Sequence, residues 1–161
     1  MHWLLTFAML LATPDASVVD QSGRALHFHR DLIAEKTVIV AFFFTRCENV
    51  CPMLTHTLTT LQTALGDRLG RDVFIVSVSL DPQYDTPERL AEWARRNGVK
   101  TGWTLVTGDT PDVVRAMTGN NARAGLHSPA LYIGNGRTGE WVRDTGLAST
   151  RHYLEVLERM K

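Results

Sequence analysis

Cysteine is scarce in this chain: 161 residues carry two, Cys47 and Cys51. A scaffold stapled by several disulfides is therefore excluded, and so is a closed zinc site built on three or four thiolates. No run of lysine and arginine forms a basic stripe, and acidic and basic side chains balance at 17 each. A nucleic-acid partner is not indicated by such a charge pattern. Long hydrophobic runs are missing too. The apolar stretch Trp3 to Ala12 (WLLTFAMLLA) falls short of the ~20 residues a helix needs to cross a bilayer. There is no internal repeat and no low-complexity segment. What is present is one domain's worth of chain, long enough to bury roughly two thirds of its unfolded surface. Folding does not require a disulfide, so the cysteine pair is left for chemistry.

The N-terminal apolar run has the length of a signal peptide's hydrophobic region. No Lys or Arg precedes it, and Thr13-Pro14-Asp15-Ala16 makes a poor cleavage pattern. Two readings stand for residues 1–16: an export signal or anchor remnant, or an N-terminal extension packed on the core. Residues 17–161 are expected to form the folded domain.

Along that domain, Ser17–Asp20 and Ala25–His29 flank Gln21-Ser22-Gly23-Arg24 and read as a hairpin. Thr37–Phe44 is an unbroken β-branched and aromatic run, the pattern of a strand covered on both faces. Leu54, Leu58, Leu61 and Leu65 recur at helical spacing. Asp72–Leu80 is a second buried strand and Trp103–Thr107 a third. Thr86-Pro87-Glu88 opens a helix with a cap, a proline in the first turn and an acid at the positive end. Thr110-Pro111-Asp112 repeats that grammar. Ala130–Ile133 and Glu140–Arg143 are short strands, and a last helix covers about Thr150 to Met160. Strands alternating with helices predict an α/β fold: a mixed central sheet flanked by helices, thioredoxin-like, with an N-terminal β-hairpin.

Ligands of open α/β sheets sit beyond the carboxyl ends of the parallel strands. Cys47 and Cys51 follow the first long strand there, and Asp81-Pro82-Gln83-Tyr84-Asp85 follows the second. His127 precedes the Ala130 strand, and shares that edge if the strand runs antiparallel. Asn49 is a candidate cap for the next helix. Its positive end favours thiolate at Cys51, with Arg46 adding to the field if it turns inward. Two thiolates at this spacing can close a reducible disulfide or share one soft metal ion. With His127 they make three ligands, a set that suits Cu(I) better than structural zinc. Met53 adds a soft sulfur, though core packing is its expected role. His27 and His29 alternate on a predicted strand and are expected on an exposed face, as is His56. Asp81 and Asp85 are turn residues in one reading; in the other, Asp81 faces the cysteine loop as an outer partner of the site.

The residues that carry this chemistry also form a pattern. Phe43-Phe44-Thr45-Arg46-Cys47-x-x-x-Cys51-Pro52, then Ser77-Val78-Ser79-Leu80-Asp81-Pro82-x-x-Asp85-Thr86-Pro87-Glu88, then His127-Ser128, resembles the Sco/SenC family over about Ser17 to Gly146. Leu126 precedes the histidine where the family often has an aspartate, and segments such as Gly102–Gly108 and Ile133–Asn135 with Thr138–Trp141 look like an outlying branch. The resemblance implies a thioredoxin-like, extracytoplasmic domain in the bacterial periplasm or at a membrane. It implies copper, as Cu(I) or Cu(II), held by Cys47, Cys51 and His127. It also implies delivery to a client cuproprotein such as cytochrome c oxidase, or preparation of that client's cysteine pair. The alternative function is a metal-independent thiol-disulfide oxidoreductase, with Cys47 as attacking thiol and Cys51 resolving. By analogy with thioredoxin-like folds, the Ser128–Pro129 bond is expected to be cis.

Overall fold

Val38, Ile39, Val40 and Ala41 are all completely buried, because the strand that carries them has a hydrophobic layer on each side. A computed structural model describes residues 15–48, 51–118 and 129–161. Its elements are β1 (Ser17–Asp20), β2 (Ala25–His27), β3 (Thr37–Phe43), α1 (Cys51–Leu65), β4 (Val73–Ser79), α2 (Pro87–Arg96), β5 (Trp103–Gly108), α3 (Thr110–Thr118), β6 (Ala130–Asn135), β7 (Glu140–Thr145) and α4 (Thr150–Arg159). The seven strands form one sheet in the order β2-β1-β5-β4-β3-β6-β7. β3, β4 and β5 are parallel neighbours, while β6 runs antiparallel to β3 with Ala41 opposite Leu131. The mixed sheet and the opening hairpin are those expected from the sequence.

Period-two alternation divides the core between the two faces. Ile39, Ala41 and Phe43 of β3, with Ile75, Leu105, Leu131 and Ile133, pack against Leu54, Leu58 and Leu61 of α1, Leu90 of α2 and Leu157 of α4. On the other face Val38, Val40, Val76, Val78 and Val106 meet Val113 of α3 and Phe28, Leu32 and Ile33. Of these, Phe28 departs from the expected hairpin strand Ala25–His29. The strand ends at His27, and Phe28–Ile33 form a wide helical turn. Asp15 accepts hydrogen bonds from the backbone N–H groups of His29 and Arg30, and Asp31 accepts one from His27. Burying three apolar side chains from one turn overrides the local strand pattern, so His27 and His29 do not share a strand face.

The cap of α2 is as predicted, with the Thr86 hydroxyl accepting from the Arg89 N–H. At α3 the cap is one residue earlier than predicted. The Thr110 hydroxyl donates instead to the Ser79 carbonyl, and the Asp109 carbonyl accepts the first bond of the helix, from the Val113 N–H at 3.2 Å. Ser149 caps α4 by accepting from the His152 N–H at 3.2 Å. Ser149→Ala is expected to cost about 1 kcal/mol of folding stability, read as a lower thermal midpoint.

Candidate functional site

The parallel strands end together, and their loops build a single rim. Leu80 N–H donates to the Phe43 carbonyl, which carries the β3–β4 ladder one step past the strands. The chain leaving β3 then turns sharply: Cys47 N–H donates to the Phe44 carbonyl at 3.1 Å, closing a four-residue turn over Thr45 and Arg46. Cys51 opens α1. Its sulfur lies over this turn, within hydrogen-bond reach of both the Cys47 side chain and the Phe44 N–H. Both cysteines are half-buried and neither is in a disulfide.

The helix dipole does not decide the state of Cys51. Burial, reinforced by the hydrogen bond with Cys47, pushes its thiol up to about 12. The Phe44 N–H and the helix-terminal N–H of Cys51 itself work in the opposite direction, but desolvation outweighs them. The expected dipole-activated thiolate at Cys51 is thus replaced by a thiol that burial keeps protonated. Cys51 suits a resolving thiol, or a ligand that yields its proton to an incoming metal.

Arg46 does not reach inward. Its guanidinium meets Asp81 at 2.6 Å and lies 3.7 Å from the centre of the Tyr84 ring, while Arg89 lies 3.9 Å from the same centre. Asp81 thus engages the cysteine loop through the side chain next to Cys47. Asp85, named in the sequence only as a turn residue, is completely buried. Its carboxylate accepts from the Thr45 N–H at 3.1 Å, from the Thr45 hydroxyl, and from the Ser79 hydroxyl at 2.6 Å.

An open cleft of about 540 Å³ lies beside the sulfurs, lined by Cys47, Cys51, Phe44, Pro52, His56 and the C-terminal end of α2 with Trp93 and Arg96. The α2 contribution was invisible in the sequence, which gives no sign of which helix end will face a distant loop. His56 is exposed, as expected, yet borders the cysteines. Met53 is not a core residue: it is 52 % exposed and shares a second groove with Leu147, the other exposed large hydrophobic among the described residues. Its position two residues after Cys51 turns it away from the face that Leu54 and Leu58 bury.

Among the described residues, no three His, Cys, Asp or Glu side chains are gathered to hold a metal. His127 lies outside the described residues, as do Asn49, residues 1–14 and the Ser128–Pro129 bond. The antiparallel run of β6 sets Ala130 at the end of β3 that feeds Cys47, the topology on which the three-ligand reading depends.

The SCO1/SenC family model matches residues 13–126, well over half of the chain and inclusive of both cysteines and both loop aspartates. The chain belongs to the SCO1/SenC family. A SCO1 protein homolog of Bacillus subtilis is 32% identical over 131 residues, an alignment that spans 74% of this chain and 67% of that protein. Two solved structures share the fold. A SCO1/SenC family lipoprotein from Bacillus anthracis aligns with a TM-score of 0.73 at 23% identity, over 89% of this chain and 91% of that one. Bradyrhizobium japonicum ScoI with copper bound aligns with a TM-score of 0.70 at 19% identity, over 91% and 97%. The SCO1/SenC fold is thioredoxin-like, and the mixed sheet of this chain is an instance of it. Among the described residues of this family member, no helix is long and apolar enough to cross a membrane.

Proposed function

We propose that this chain is a copper metallochaperone, with Cys47 and Cys51 as thiolate ligands and His127 as the third. The observation that carries the reading is the pair of sulfurs within hydrogen-bond reach of one another, at the edge of an open cleft beyond the parallel strands. Two adjacent soft donors with room for a visitor suit a cargo ion that must arrive and leave. Membership in the SCO1/SenC family supports the same reading, as does the copper in a fold neighbour. Copper is cargo here, passed on by ligand exchange. A donor atom of the client adds to the ion as one cysteine sulfur leaves and regains a proton, with no change in the oxidation state of copper. The client is a cuproprotein of the cytochrome c oxidase kind. The working domain starts two residues before the expected boundary at 17, because Asp15 holds the His29 and Arg30 N–H groups and Ala16 is buried in the core; a lipoprotein relative favours an extracytoplasmic, membrane-associated setting, with residues 1–14 as leader or anchor remnant.

The hydrogen-bonded thiol pair also favours a second reading, a thiol-disulfide reductase acting on the client's cysteines. Anaerobic titration separates the two. Reduced protein is expected to take up one Cu(I), and His127→Ala to weaken that binding by no less than the roughly tenfold that losing even an outer-shell partner costs. Unchanged affinity in the variant would remove His127 from the ligand set. Absence of any stoichiometric Cu(I) binding, in a protein that cycles between dithiol and disulfide, would leave the reductase.

A further inference from the structure

The two loop aspartates are spaced like ordinary turn residues, yet one of them has no solvent exposure and, among the described residues, no salt bridge. Asp85 is buried at 0 % exposure. A carboxylate in that position is costly unless donors surround it. Three do: the N–H and hydroxyl of Thr45 and the hydroxyl of Ser79. Ser79 is tied in turn to the other motif aspartate, accepting from the Asp81 N–H at 3.0 Å. Asp85 itself is fixed by its own N–H, which donates to the Asp81 carbonyl at 2.8 Å.

Thr45 is the residue through which this anchor acts. It stands inside the turn closed by Cys47 N–H and Phe44 carbonyl. That turn does two things at once. It carries Cys47, and it presents the Phe44 N–H to the Cys51 sulfur. Whatever fixes Thr45 therefore fixes the separation of the two sulfurs. We infer that Asp85 is a positioning residue for the cysteine pair, holding the Phe44–Cys47 turn from within the β4–α2 loop so that Cys47 is kept against Cys51.

The consequence is one of effective concentration. A clamped turn keeps one thiol beside the other and so favours every state in which both sulfurs engage one partner, whether each other in a disulfide or a shared Cu(I). Loosening the clamp should weaken both states together. In the disulfide equilibrium with glutathione, the protein's two sulfurs gain two electrons and two protons as two glutathione thiols become one glutathione disulfide. The inference rests on the reading of Cys47 and Cys51 as working thiols.

The test uses the reduced full chain and three variants. Asp85→Asn leaves one acceptor oxygen where three donors converge. Thr45→Val removes the hydroxyl contact while leaving the Asp85 side chain itself unchanged, and Thr45 is half-buried, so this variant keeps the core intact if Asp85→Asn does not fold. Ser79→Ala removes the one donor to Asp85 that does not belong to the turn. The equilibrium constant for disulfide formation against glutathione is expected to fall about tenfold, a rise of about 30 mV in potential, in Asp85→Asn. It should fall in the same direction in Thr45→Val and stay within about twofold in Ser79→Ala. Cu(I) affinity should fall in step with it. A merely structural role would lower the melting temperature of all three and leave the constant alone. Folded Asp85→Asn or Thr45→Val with an unchanged constant overturns the inference, and so does an equal shift in Ser79→Ala. If the unsubstituted chain neither binds Cu(I) nor cycles, it is the parent reading that fails, and the two failures are told apart by that one control.

Discussion

Cys51→Ser is expected to lose Cu(I) affinity by far more than the roughly 10–100-fold that follows removal of an outer-shell partner, and Cys47→Ser to match it. The reason is chemical softness. Cu(I) is held by polarizable sulfur, and a serine hydroxyl is a hard oxygen that keeps its proton at neutral pH. Either substitution leaves a single thiolate, which a small competing thiol in solution can displace. The fold should not register the change, because both side chains lie at the rim and are only half-buried, while the layers under them are built from Leu54, Leu58, Phe43 and Leu90. Competition against a chromophoric Cu(I) chelator, alongside thermal unfolding, reads both quantities. A serine variant that binds copper within tenfold of the parent, with an unaltered melting profile, would show that the pair is not the copper site.

The fold was legible because its signals are redundant. The unbroken run from Thr37 to Phe44 and the leucine repeat of α1 are each long enough to overcome local ambiguity. The Thr86-Pro87-Glu88 start of α2 is encoded in the side chains that perform it. What misled was short-range. Phe28, Leu32 and Ile33 bury from a helical turn because the hairpin has to cover the second sheet face, a tertiary demand with no local signature. The α3 start fell to Asp109, whose carbonyl takes the Val113 N–H, because Thr110 found a buried carbonyl at Ser79, 31 residues away.

The site was legible by residue type and less so by geometry. Topology alone gathered the cysteine loop and the aspartate loop at one rim, and the structure places them there. Their division of labour was hidden. Asp81 and Asp85 look alike in the sequence, yet one pairs with Arg46 at the surface and the other holds Thr45 from the interior. A clue existed: Thr86 already supplies the α2 cap, so the acid before it had no helix-starting job left. The electrostatics of Cys51 were predicted with the wrong sign because position at a helix end is visible in a sequence and desolvation is not.

That reversal has a measurable consequence in the pH dependence of copper capture. With its thiol pushed up to about 12, Cys51 is protonated throughout the neutral and mildly alkaline range, so binding must release at least its proton. Release of one proton makes the apparent affinity rise about tenfold for each pH unit. The sign is fixed: acid competes with copper for Cys51, and alkali favours the loaded form. Between pH 7 and 9, above the ordinary imidazole range near 6.5, apparent Cu(I) affinity is therefore expected to rise at least 100-fold, after correction for the competing chelator. A thiol with the ordinary value of 9.0 would begin to flatten as pH approaches 9. A buried one keeps the full slope beyond it. Cys47→Ser, which removes the neighbouring sulfur, should make Cys51 easier to ionise, since hydrogen bonding and repulsion from Cys47 both favour the protonated form. A profile level from pH 7 upward in the unsubstituted protein would mean that copper does not displace the Cys51 proton, and would take Cys51 out of the ligand set.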